Sequence, residues 1–346
     1  MTAPGGAEPG RPRRTLITGG AGFIGHHLLG RCLARGDDTL VVDDFSTGRE
    51  ANIEHATAAG GPGIARVVRA ELGDALDELR AGEGFDEIYH LAAAVGVDLV
   101  MADPVRAIET NIAQTSRLFA VLAELGREGR PPRTLLASSS EVYGKPDRRV
   151  FSEEDDTVYG PTTVARWSYG CAKAIDEFLA LGYAERDGLP IVVARLFNTV
   201  GPGQVGTHGM VLPRFVAAAL AGEPLEIRGD GSQTRCFCDV RDVARGLMDL
   251  AGSPAAAGRV FNIGAERPIS IRELAETVVR VLDSGSETRC VPYDAIYERG
   301  FEDLRHRRPD LSRIREAIGF ERRIPLERTI ADVAERIRTE RNGAET

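Results

Sequence analysis

Short apolar runs alternate with amphipathic stretches through the first half of the chain. Thr15–Thr18, Thr39–Asp43, Ile64–Arg69, Glu87–Ala92, Arg133–Ser138 and Ile191–Phe197 read as strands. Helical patterns lie between them, most clearly over Pro104–Leu125 and Tyr169–Arg186. Strand and helix in strict alternation predict an α/β fold, a doubly wound parallel sheet covered by helices on both faces. After Asn198 the pattern changes to short mixed elements punctuated by Gly201-Pro202-Gly203, Gly229-Asp230-Gly231 and Arg267-Pro268. That portion predicts a smaller mixed α/β lobe over the carboxyl ends of the strands, where ligands of open α/β sheets sit. The chain has no internal repeat.

The turn after the first predicted strand carries the strongest chemical signal, Thr18-Gly19-Gly20-Ala21-Gly22-Phe23-Ile24-Gly25. Gly19 permits a tight turn, Gly22 lets a pyrophosphate approach the backbone, and Gly25 lets helix and strand pack closely. The free N–H groups of the following helix then face the phosphates. The second strand ends at Asp43, eighteen residues after Gly25. A carboxylate there accepts hydrogen bonds from the adenosine ribose hydroxyls and repels a 2′-phosphate. The two signals together predict a Rossmann-type NAD site, with Gly19, Gly22, Phe23, Ile24, Gly25 and Asp43 at the cofactor. The expected division is a disordered tail over 1–12, an NAD-binding domain over 13–197, and a mainly substrate-binding domain over 198–346. Part of the latter returns to the first domain around 236–250.

Composition narrows the class. Hydrophobic content of 42% and charged content of 27% in 346 residues suit a soluble enzyme. No apolar run approaches the roughly 20 residues of a membrane span, and the Pro/Gly-rich first dozen residues lack a signal core. A net charge of −9 argues against a nucleic-acid partner. Cys32, Cys171, Cys236, Cys238 and Cys290 are odd in number and unrepeated, which points to a reducing, cytoplasmic setting. Cys236 and Cys238 lack a second pair at zinc spacing, so they read as alternating strand positions and no metal is expected.

Tyr169 and Lys173 stand four apart on a predicted helix and so share a face. A lysine ammonium beside a phenol favours the phenolate and makes Tyr169 a base. Ser138-Ser139-Ser140-Glu141 follows a predicted strand and brings hydroxyls and a carboxylate to its carboxyl end. A Ser, a Tyr and a Lys around a nicotinamide form a proton relay for oxidising a sugar alcohol.

Taken in order, Thr18–Gly25, Asp43, His90-Leu91-Ala92-Ala93, Ser138–Gly144, Tyr169–Lys173 and Asn198-Thr199-Val200-Gly201-Pro202 resemble the extended short-chain dehydrogenase/reductase family, in its nucleotide-sugar epimerase, dehydratase and decarboxylase branch. The resemblance runs over residues 13–335. It implies a tightly bound NAD, reduced and reoxidised within one cycle, and a UDP-, dTDP- or GDP-sugar substrate. By the same resemblance Asp74 contacts adenine, while Ala92, Ala93 and Asn111 lie along the cofactor. Asn198 and Arg235 match substrate-diphosphate contacts, a task Arg307 shares. The family also implies a homodimer through a four-helix contact. Its candidates here are Ile108, Ile112, Leu118 and Val121 on one helix and Ile175, Phe178, Leu179 and Leu181 on the other.

Members of the branch begin by oxidising the sugar at C4 and differ in what the ketone does next. Ser139-Ser140-Glu141-Val142-Tyr143-Gly144, Arg166-Trp167-Ser168-Tyr169 and Arg307-Arg308-Pro309-Asp310 resemble segments of the decarboxylases that act on UDP-glucuronic acid. The resemblance assigns catalytic roles to Ser139, Glu141, Tyr169, Lys173 and Arg307, and substrate contacts to Ser140, Arg166 and Arg307. Decarboxylation to UDP-4-keto-xylose or UDP-xylose is the leading expectation. A UDP-hexose or UDP-hexuronate 4-epimerase is the alternative, and a 4,6-dehydratase ranks lower. Ser139 stands where the decarboxylases usually carry Thr. Gly203 and Val205 stand where glucuronate 4-epimerases tend to carry arginine, and Ser140 where dehydratases carry Asp. His208, on a predicted substrate loop, is left without a role.

Overall fold

A computed structural model describes residues 11–81, 84–93, 103–129, 131–206, 209–293 and 305–344. Residues 1–10 of the expected tail and His208 lie outside them. In chain order the strands are β1 (Arg14–Thr18), β2 (Asp38–Asp43), β3 (Ile64–Arg69), β4 (Glu87–His90), β5 (Arg133–Ser139), β6 (Val150–Phe151), β7 (Ile191–Leu196), β8 (Thr199–Val200), β9 (Leu225–Arg228), β10 (Thr234–Arg235), β11 (Cys238–Asp239), β12 (Val260–Ile263), β13 (Ile269–Ser270), β14 (Thr288–Val291) and β15 (His306–Pro309). The helices are α1 (Phe23–Arg35), α2 (Glu50–Ala58), α3 (Leu72–Ala81), α4 (Pro104–Arg127), α5 (Ser168–Asp187), α6 (Val211–Ala221), α7 (Val240–Gly252), α8 (Ile271–Val281), α9 (Ser312–Ile318) and α10 (Leu326–Ala344).

Seven parallel strands form the main sheet in the order β12-β7-β5-β4-β1-β2-β3. Its inner strands are apolar on both faces because each face is covered. Leu16 and Ile17 are neighbours on β1 and enter different cores. Leu16 joins Val42, Leu118, Phe119 and Leu136 on the face of α3, α4 and α5. Ile17 joins Leu28, Leu29, Leu247 and Phe261 on the face of α1 and α7. The strand order reverses direction between β1 and β4, so the crevice between their carboxyl ends is the switch point where ligands of such sheets bind.

The short run Val260–Ile263 was not among the predicted strands, yet it pairs with β7 as the seventh strand. The smaller lobe has its own core, built from Leu212, Phe215, Ile227, Leu274 and Ile330. Its four-stranded sheet, β13-β10-β15-β6, sets Arg235 on β10 beside Arg307 on β15. Cys236 and Cys238 are buried free thiols in the larger apolar core. Among the described residues no cluster of His, Cys, Asp and Glu is fit to hold a metal, and no helix is long and apolar enough to cross a membrane.

Candidate active site

The glycine turn fits the role read from its spacing. Gly19 has φ +72°, and a side chain there would meet the Ala92 backbone at 2.8 Å. A Cβ on Gly25 would lie 2.1 Å from the Gly19 carbonyl oxygen. Gly22 is the N-cap of α1 and no side chain caps it, which leaves the first turn, Phe23 and Ile24 included, for a ligand's phosphates. Asp43 ends β2, buried, and its carboxylate accepts from the Ala21 and Phe45 N–H groups at 2.9 and 2.8 Å. The acid thus holds the glycine turn against β2. Ala92 and Ala93 follow β4, and the Ala92 N–H donates to the Thr18 hydroxyl at 3.2 Å. Asn111 is buried on α4. Asp74 takes an exposed place in the first turn of α3, where its N–H donates to the Glu71 carbonyl.

Tyr169 and Lys173 are both buried on α5. Ser139 closes β5 and hydrogen-bonds Tyr169, and its hydroxyl also accepts from the Glu141 N–H at 3.2 Å. Burial pushes the Tyr169 phenol above its ordinary value; Glu141 and Asp176 add to the rise and the Ser139 contact opposes it. The expected depression by Lys173 is not found. The reason is geometric: the Lys173 ammonium is directed at Asp176, 3.1 Å away, and both are buried. Asp176 was missed in the sequence, although its i,i+3 spacing from Lys173 is the signal that could have found it. Behind this pair runs a buried polar chain. Thr18 contacts His90 at 2.7 Å, His90 contacts Thr115 at 3.2 Å, and Thr115 reaches Asp176. Burial, with Lys173 nearby, holds His90 down at about 3 and hence neutral.

Glu141 lies in the 3-10 turn Ser140–Tyr143, between two guanidinium groups. Arg166, from the 3-10 turn Ala165–Trp167, is 2.7 Å from one carboxylate oxygen, and Arg307 is 2.7 Å from the other. Arg307 also donates to the Ser140 hydroxyl at 3.3 Å. Burial alone would push the Glu141 carboxyl up, but Arg307 and then Arg166 outweigh it and bring it down to about 2. The two arginines are buried and Glu141 is largely so, and together they carry one net positive charge. Asn198 adopts φ 34° between β7 and β8, and its buried amide nitrogen has no hydrogen-bond partner, an orphan donor suited to a ligand oxygen. The structure thus joins Ser139, Ser140, Glu141, Arg166, Tyr169 and Arg307 in one group. Arg235 is set next to Arg307 by strand register, so the two share a sheet face.

The description of the NAD dependent epimerase/dehydratase family matches residues 15–264. The chain belongs to that family. Among relatives in the NAD dependent epimerase/dehydratase family, UDP-N-acetyl-alpha-D-glucosaminuronate decarboxylase of Bacillus cytotoxicus is 36% identical over 321 residues, 92% of this chain and 96% of that protein. UDP-glucuronic acid decarboxylase 1 of Arabidopsis thaliana is 33% identical over 341 residues, 96% of this chain and 73% of that protein. The solved structure of MoeE5 in complex with UDP-glucuronic acid and NAD superposes with a TM-score of 0.79 at 30% identity, covering 94% of this chain and 99% of that one. A UDP-glucose 4-epimerase from Thermotoga maritima, solved with UDP-glucose, gives 0.81 at 25% identity, with 94% and 99% covered. The fold and the family are those expected from the sequence.

Proposed function

We propose that the protein is an NAD-dependent decarboxylase of UDP-linked hexuronic acids, with UDP-glucuronic acid as the first substrate to test. The observation that carries this reading is Glu141 clamped between Arg166 and Arg307 beside the Ser139–Tyr169 pair. The names of the relatives support the same reaction. NAD, held by the glycine turn and Asp43, supplies the hydride acceptor and donor for C4. Tyr169 takes the proton of the C4 hydroxyl, and Ser139 aligns that hydroxyl. The resulting 4-ketone makes the C5 carboxylate that of a β-keto acid. When the bond to CO2 breaks, its electron pair becomes an enolate. The net positive cage of Arg166, Glu141 and Arg307 stabilises the negative charge as it moves from carboxylate to enolate. Return of a proton to C5 and of hydride to C4 gives the pentose, and omission of the second step gives the 4-keto product. Asn198, Arg235 and Ser140 are assigned to substrate binding.

Incubation with UDP-glucuronic acid and NAD, followed by mass analysis, tests the reaction. A product lighter by CO2 is expected. Interconversion of UDP-glucose and UDP-galactose without CO2 release would replace this reading by the 4-epimerase. We assign a homodimer to the same proposal, formed through α4 and α5, whose surface exposes Val105, Ile175 and Phe178.

A further inference from the structure

The 43 basic residues of Lys and Arg type include only two lysines, Lys145 and Lys173. Lys145 is exposed, with its ammonium 5.4 Å from the Trp167 ring. Lys173 is buried and ends against Asp176, a fully buried carboxylate three residues on along α5. An ammonium removed from water strongly favours its neutral form unless an anion stands beside it. Asp176 is an anion at hydrogen-bond distance. Thr115 of α4, which contacts His90 of β4 at 3.2 Å, lies beside it.

We infer that Asp176 is a positioning residue of the catalytic relay, holding the Lys173 ammonium at a fixed point on the helix that carries Tyr169. The inference rests on the proposed role of Tyr169 and Lys173. The other groups around the pair do not replace Asp176. His90 on β4 is neutral and supplies no anion. Thr115 on α4 is uncharged. Glu177, next on α5, is bound by Arg195 at 2.7 Å and by the Ser138 hydroxyl at 2.5 Å. Glu141, in the 3-10 turn, is taken by Arg166 and Arg307. With Asp176 neutral, burial acts on the Lys173 ammonium unopposed, and the relay loses its cation.

The two-lysine composition makes the test direct. Lysine labelled with 13C at Cε gives two signals, one of which Lys145→Arg removes. At about pH 8 an ordinary lysine is an ammonium, whereas an unpaired buried one is a neutral amine. Wild-type Lys173 is expected at the ammonium position. In Asp176→Asn it moves to the amine position, while Lys145 stays unchanged as a folding control. Asp176→Glu restores the ammonium signal. Hydride transfer by Asp176→Asn, relative to wild type, falls as pH rises toward the level of Lys173→Ala. A merely structural Asp176 would lower the rate without changing the Lys173 signal. Wild-type Lys173 already neutral at about pH 8, or an ammonium signal retained in Asp176→Asn, overturns the inference; where Asn does not fold, Asp176→Ala takes its place and the wild-type spectrum still decides. The role of Tyr169 fails separately, if Tyr169→Phe keeps full hydride transfer.

Discussion

Arg307 and Glu141 are 166 positions apart in sequence and 2.7 Å apart in the folded protein. β15 carries the arginine, the turn after β5 carries the carboxylate, and Arg166 closes the other side. Glu141→Gln removes the negative charge held between two buried guanidinium groups. We expect CO2 release to fall by about a hundredfold or more, the scale of losing a preorganised charge at a reacting centre, while transient reduction of NAD persists. Following absorbance at the reduced nicotinamide band together with CO2 on UDP-glucuronic acid checks this. Equal slowing of both signals would remove Glu141 from the decarboxylation step.

The same carboxyl makes a pH prediction. Its folded value, about 2, lies below the ordinary 4.5. A depressed carboxyl contributes stability that is fully present above the unfolded value and is lost as pH falls through the folded one. Wild type should therefore lose about 3 kcal/mol from this group between roughly pH 4.5 and 2, at about 1.4 kcal/mol per unit. Glu141→Gln should show a flatter stability curve across that window. Urea melts at a series of pH values measure the difference, and parallel curves would refute it.

Tyr169→Phe deletes the group placed to take the C4 hydroxyl proton, so NAD reduction by substrate should fall at least about a thousandfold, within the range of general base and nucleophile removals. Ser139→Ala should cost less, about tenfold to a hundredfold, because it removes an aligning hydrogen bond and leaves the base. Single-turnover absorbance measurements rank the two. A Ser139 variant slower than the Tyr169 variant would invert the assigned roles.

What the sequence made legible follows from range. The β1–α1 turn, the six runs of strand and the Tyr169–Lys173 spacing are local patterns, and the structure reproduces them within a residue or two at most ends. Val260–Ile263 escaped because four residues between loops carry no periodicity of their own; only pairing with β7 makes them a strand. The clamp on Glu141 joins three segments, and nothing local to any of them states the distance. The lysine's orientation was misjudged for a related reason. Spacing puts both Tyr169 and Asp176 within a helical turn of Lys173 and does not decide between them; in the folded protein the ammonium lies 3.1 Å from the Asp176 carboxylate. Asp74 was placed by likeness alone, and it stands exposed in the first turn of α3.

Asp43 predicts a cofactor preference. Its carboxylate is fixed by the Ala21 and Phe45 N–H groups at the end of β2, and a 2′-phosphate beside a held anion is disfavoured. NAD should bind at least about tenfold more tightly than NADP, a difference of about 1.4 kcal/mol. Asp43→Asn should narrow the gap mainly by weakening NAD, since the turn loses its charged acceptor. Calorimetry on the protein freed of cofactor measures both, and equal wild-type affinities would contradict the assignment.

The opposite end of the sheet holds a fold-stability test. Glu87, fully buried on β4, faces Arg13 at 3.1 Å, Arg35 at 2.6 Å and Arg133 at 3.1 Å, and accepts from the Tyr89 hydroxyl at 3.0 Å. Glu87→Ala leaves three guanidinium groups around a small cavity. Breaking a buried pair costs about 3–5 kcal/mol, but these arginines keep partial access to water, so a loss near about 3 kcal/mol is expected. Denaturant melts give the value. A loss under about 1 kcal/mol would show that water replaces the carboxylate freely.

Phe178 is the residue on which the proposed dimer is tested. It is 77% exposed on α5, with Ile175 exposed one turn before it, while Leu118 and Val121 of α4 are buried in the core. Leu179 and Leu181 pack against that same core, so the candidate interface keeps the part-exposed Ile108 and Ile112 with the outward Ile175 and Phe178, and Val105 joins them. A large apolar side chain left in water alone forgoes about 2–3 kcal/mol that burial would supply. In a two-fold contact the same residue is counted on both copies. Phe178→Glu therefore places two like charges in one apolar contact and should turn a dimer into a monomer without changing the thermal midpoint of the isolated chain by more than a few degrees. Light scattering at micromolar concentration reads the outcome. A wild-type monomer would remove the dimer from the proposal, and a dimer that survives Phe178→Glu would move its interface away from α5.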